Sequence, residues 1–129
     1  MENKLAVVKL WMEYADRDLH IAEIIYTHAN EYSDMIGFHC QQAVEKYIKG
    51  YLIFLEIEFP KTHNLTLLMD LVKDNSEFYE RYFEKANELK GFAVEVRYPL
   101  GKRNLSNEDL EGKIKMVKEF REEIILRTK

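Results

Sequence analysis

An all-α protein, built as an up-and-down four-helix bundle with one additional short helix, is what this 129-residue sequence predicts. Three observations carry that expectation. Apolar residues recur at spacings of three and four in four separate segments. No stretch of useful length alternates apolar and polar residues as a strand would. Five glycines and two prolines leave few sharp turns, and both prolines, Pro60 and Pro99, fall between the periodic segments.

The first segment places Leu5, Val8, Met12, Ala15, Leu19, Ala22, Tyr26 and Ala29 on one stripe of a long helix. Its small residues let a partner helix come close, and Trp11 flanks the stripe, partly buried by preference. Residues 30–34 break the pattern, and Ser33 is the expected N-cap of a second helix that packs back as an antiparallel hairpin. That helix presents Ile36, Cys40, Ala43, Val44, Tyr47, Ile48, Tyr51 and Leu55 on a broad apolar arc and fades near Glu58, before Pro60.

Thr62 is the expected cap of a short third helix from Leu65 to about Lys73, with Leu67, Leu68, Leu71 and Val72 on its apolar side. Tyr79, Tyr82, Ala86, Leu89, Ala93 and Val96 mark a further long helix ending before Pro99. Residues 100–104 read as a loop. Ser106 with Asp109 is a capping-box signal for the last helix, whose apolar side is Leu110, Ile114, Val117, Phe120 and Ile124.

The length suits one domain, residues 1–129, able to bury a core without staples. A net charge of −4 removes the long-range positive field that draws proteins to nucleic acid regardless of sequence, so any polyanion site must be local. Cys40, the one cysteine, excludes an intramolecular disulfide and sits on the apolar arc as an inert core thiol. With no signal-peptide core and no run of about eighteen apolar residues, a cytoplasmic location without membrane contact is expected.

A di-metal carboxylate bundle would carry glutamate three residues before histidine. Here Arg17, Ile25, Ile36 and Pro60 precede His20, His28, His39 and His63 at that spacing, so neither a metal site nor another cofactor is expected. Phosphate loops, nucleophile elbows and zinc-protease motifs are missing as well.

Two groupings remain as candidate ligand-binding positions. His39, Gln42, Lys46 and Lys49 form a polar stripe beside the apolar arc of the second helix, able to offer donors to a phosphate or a base edge. The simpler alternative is a solvated face in which Glu45 and Glu56 balance the lysines. Arg97 and Tyr98, just before Pro99, with Lys102 and Arg103 after it, gather cations where a helix ends, and the helix dipole alone favours them there. His63 caps the third helix or meets a ligand, and Gln41, inside the apolar arc, needs a partner across a helix interface.

Four pieces of the chain together resemble the HEPN domain family. They are Ala15, Asp18, Leu19 and Ala22 on the tryptophan-bearing first helix, the stretch from Phe38 to Lys49 with its glutamine pair, Thr62 to Leu65, and Arg97 to Pro99. The resemblance spans nearly the whole chain. It implies a helical bundle similar to the substrate-binding domain of kanamycin nucleotidyltransferase, a homodimer, nucleotide binding, and partnership with a minimal nucleotidyltransferase.

Many members of that family are metal-independent ribonucleases of toxin–antitoxin type, with an arginine followed by histidine after roughly four to six residues. This chain departs from the pattern, because no histidine follows Arg81, Arg97, Arg103, Arg121 or Arg127, and Arg17 lies three and eleven positions before His20 and His28. No catalytic residue is therefore assigned. The expected function is a non-catalytic subunit that binds a nucleotide or nucleic-acid end. The alternatives are a ribonuclease using His39 with Arg97, and a structural dimerisation module.

Overall fold

The computed structural model describes residues 2–77, 82, 84 and 106–129, which form helices α1 (Glu2–His28), α2 (Ser33–Phe54), α3 (Leu65–Asn75) and α4 (Asn107–Arg127). The chain is all-α as expected, and no strand occurs among the described residues. The helix expected over 79–96 and the loop over 100–104 lie outside the described residues, except that Tyr82 and Glu84 are helical. Tyr82 is buried and meets Phe120 edge to face.

Helices α1 and α2 form the antiparallel hairpin. The Lys4 ammonium donates to the Phe54 carbonyl at one end, while Asp18 meets His39 and Lys46 further along. Close approach is possible because Gly50 faces Trp11: a methyl group on Gly50 would lie 3.1 Å from the Trp11 Cβ. Of the expected α1 stripe, Val8, Ala15, Leu19 and Ala22 are buried and Met12 and Tyr26 pack against the core. Leu5, at the start of the stripe, is 57% exposed. The whole apolar arc of α2 from Ile36 to Tyr51 is buried, and so are Gln41, Glu45 and Lys49.

Several helix ends differ from expectation. Tyr32, not Ser33, occupies the cap position of α2, without a side-chain bond; its carbonyl takes the amides of Met35 and Ile36. Helix α2 also stops at Phe54, before Pro60 can act. The amide of Ile57 donates to the Leu52 carbonyl and that of Glu56 to the Ile53 carbonyl, the paired bonds of a Schellman motif. Glu56 takes the left-handed conformation that glycine usually supplies, with φ 61°.

Helix α3 is capped by Asn64, whose side chain accepts from the Leu67 amide, while Thr62 accepts from the Asn64 amide and so braces the cap rather than forming it. Its buried face is Leu65, Leu68, Met69 and Val72; Leu67 is exposed. The capping box of α4 is present, with Ser106 and Asp109 exchanging 3.1 Å hydrogen bonds, and the five apolar residues expected to face inward are buried. Helix α4 runs antiparallel to α1, since Tyr26 reaches Glu111 and Asp16 reaches Arg121. Arg127 donates to the Glu77 carbonyl and ties the far end of α4 to the segment after α3.

The left-handed conformation of Glu56 gives a direct test. A side chain there costs about 1 kcal/mol, and the Lys4 contact at 3.9 Å involves a largely exposed carboxylate that contributes little. Glu56→Gly therefore raises the stability by up to about 1 kcal/mol in chemical denaturation. A lower unfolding midpoint for this variant would contradict the reading of the helix end.

Candidate functional site

The polar stripe of α2 does not point uniformly into solvent; most of it is engaged with α1. Asp18, one position from the buried stripe residue Leu19, is itself buried at the seam. Its two oxygens take different partners, Nδ1 of His39 at 2.9 Å and Nζ of Lys46 at 2.5 Å. Burial pushes the Asp18 carboxyl up, but the hydrogen bonds and charges of His39 and Lys46 outweigh it and hold the group below its ordinary 3.8. Glu45 and Glu56 thus do not balance Lys46, as the solvated-face alternative supposed.

One turn further along α2, the Lys49 ammonium lies 5.5 Å from the centre of the Trp11 ring, a cation–π contact with its stem buried. Gln42 falls between these groups on the stripe and is half-buried. The structure therefore brings His39, Lys46 and Lys49 onto one α1/α2 seam, with Gln42 on the same stripe of α2. Arg97 and Tyr98, with Lys102 and Arg103, lie outside the described residues. Gln41 is buried and is not without an interaction.

His63 does not cap α3. Its Nδ1 lies 3.0 and 3.1 Å from the two oxygens of Glu45, which is 2% exposed. On the other flank of α1, Asp16 accepts from the Tyr47 hydroxyl and from Arg121 through Nε at 2.7 Å and a second nitrogen at 3.3 Å, so one carboxylate joins α1, α2 and α4. Burial, followed by the Asp16 hydrogen bond and charge, pushes the Tyr47 phenol up and keeps it a donor. The Cys40 thiol, with no exposed surface, is pushed up to about 12 by burial, as an inert core thiol should be.

Sequence reasoning did not identify Asp16 or Asp18 as partners of α2. Their signal was positional: each borders the apolar stripe of α1, where an aspartate cannot avoid the helix interface. Among the described residues no group of three metal-ligating side chains occurs, and no helix is long and apolar enough to cross a membrane.

What these features define is an all-α bundle domain with a polar, cation-bearing seam between its first two helices. The HEPN domain model matches residues 8–127, and the chain belongs to the HEPN family. The fold is similar to the crystal structure of an archaeal HEPN homologue, with a TM-score of 0.73 and 23% identity over 95% of this chain and 98% of that one. No curated protein matches the sequence. Membership connects the chain to the nucleotide- and RNA-related roles of the family in general.

The lowered Asp18 ionisation makes a pH-dependent prediction. A carboxyl group depressed in the folded state stabilises above its unfolded value and loses that contribution as pH falls through the folded one. Asp18→Asn is expected to lose about 2 kcal/mol at neutral pH. The gap from the parent protein then narrows as pH drops below 3.8. Urea unfolding of both proteins across the acid range checks this, and a pH-independent gap would contradict it.

Proposed function

We propose that this HEPN-family protein is a non-catalytic binding subunit that holds a nucleotide or nucleic-acid end for a minimal nucleotidyltransferase partner. The observation that carries this reading is the Asp18-centred cluster. One buried carboxylate orients an imidazole and an ammonium on the same seam, with the Gln42 amide between them along α2. Donors fixed in advance lose little rotamer freedom when they meet phosphate oxygens, which favours binding. The absence of a histidine after any arginine at the ribonuclease spacing supports a binding role over cleavage by this subunit.

Calorimetric titration with ribonucleotides, in the presence and absence of a candidate transferase, tests the proposal. Binding that weakens about fivefold or more in Lys46→Ala is expected, since a charge-assisted hydrogen bond contributes at least about 1 kcal/mol. No heat with any nucleotide, together with no complex with the transferase, would remove the reading.

A homodimer is part of the same proposal, supported by a second stripe on α1. Val7, Leu10, Tyr14 and Ile24 are each 39–46% exposed and share one face with Arg17 and Ile21. Read from either end, the stripe has the same character: Val7 would oppose Ile24, Leu10 would oppose Ile21, and Tyr14 would oppose Arg17 across an antiparallel twofold axis. Arg17 already lies 4.9 Å from the Tyr14 ring centre within one chain, a contact the two rings and guanidiniums could exchange. Light scattering is expected to give a dimer for the parent protein and a monomer for Leu10→Glu. A monomeric parent at high concentration would exclude this interface.

A further inference from the structure

The pairing of Glu45 with His63 is not explained by stability alone. Glu45 is 2% exposed, yet its counterpart has a side chain 76% exposed to solvent. A buried carboxylate is costly unless its partner repays the lost hydration, and a largely hydrated imidazole is a poor choice for that purpose. The geometry has a different consequence. Both Glu45 oxygens face Nδ1, at 3.0 and 3.1 Å, and a carboxylate only accepts. Nδ1 must therefore carry the proton, and in the neutral ring the lone pair is on Nε2, directed away from Glu45 on an exposed side chain.

The location matters as much as the tautomer. On α2, Glu45 follows Gln42 by three residues and precedes Lys49 by four, so His63 is held against the same stretch of helix that carries the ligand-binding stripe. A phosphate dianion has no hydrogen to give such a nitrogen, whereas a sugar hydroxyl does. We infer that His63, oriented by Glu45, accepts a hydrogen bond from the ribose 2′-hydroxyl of the bound nucleotide, so that the site selects ribonucleotides over deoxyribonucleotides. His63 is the ligand contact, and Glu45 is the positioning residue. This rests on nucleotide binding as proposed above.

The experiment combines affinity with tautomer. Nitrogen-15 NMR of the histidine rings, at mildly alkaline pH where imidazole is neutral, is expected to show His63 protonated at Nδ1 in the parent protein. In Glu45→Gln the amide can donate, which releases or reverses that tautomer. Paired titrations with ATP and dATP are expected to favour ATP about fivefold in the parent protein, a ratio lost in both His63→Ala and Glu45→Gln. Thermal melts of the two variants separate loss of discrimination from loss of fold. Equal binding of ATP and dATP by the parent protein, or a His63 ring protonated at Nε2, would overturn the inference while leaving nucleotide binding intact. Binding of neither nucleotide would instead remove the reading on which it rests.

Discussion

Helix α2 is buried on nearly every side while carrying glutamine, glutamate, lysine and tyrosine, and the requirement to answer those polar groups governs the arrangement around it. An uncompensated charge in such a position costs several kcal/mol, more than a large part of the stability of a small domain. Each neighbour therefore supplies a counterpart. Helix α1 gives Asp16 to Tyr47 and Asp18 to His39 and Lys46; the turn before α3 gives Glu45 the largely solvent-exposed His63, a weaker counterpart. Apolar burial drives the helices together without fixing their registry, whereas these directional contacts do so.

The two aspartates on α1 have different consequences although they are only two residues apart. Asp16 points to the α4 side, where two nitrogens of Arg121 and the Tyr47 phenol donate to it, so that one 41%-exposed carboxylate clamps three helices. Asp18 faces the α1/α2 seam with its side chain 10% exposed, and its partners His39 and Lys46 keep 18% and 31% of theirs in solvent. About 200° of helical rotation between residues two apart is what separates the structural carboxylate from the one that organises a candidate site. On the same helix Val7, Leu10, Tyr14 and Ile24 are 39–46% exposed.

Where expectation and structure part company, local chemistry near the helix ends is responsible. Pro60 was a sound reason for α2 to stop, but the Schellman bonds close the helix first, and Glu56 carries no side-chain feature that advertises a left-handed residue. Thr62 and Asn64 are both good caps in sequence; which one serves depends on where the chain turns, and Thr62 is held to the Asn64 amide. Ser106 and Asp109, by contrast, could be read directly because both halves of the capping box are close in sequence.

The all-α class, the α1/α2 hairpin, the inward faces of α2 and α4, the inert Cys40 and the family are legible in the order of residues, because helical periodicity and motif order are local properties written along the chain. Tertiary structure alone decided which carboxylate answers which cation. His39, Lys46 and Asp18 are separated by up to 28 positions, and His63 and Glu45 by 18, so no spacing rule connects them. Only the close packing of α1 on α2, permitted by Gly50 against Trp11, sets Asp18 within hydrogen-bond distance of His39 and Lys46 and organises the polar stripe, while the turn into α3 brings His63 to Glu45.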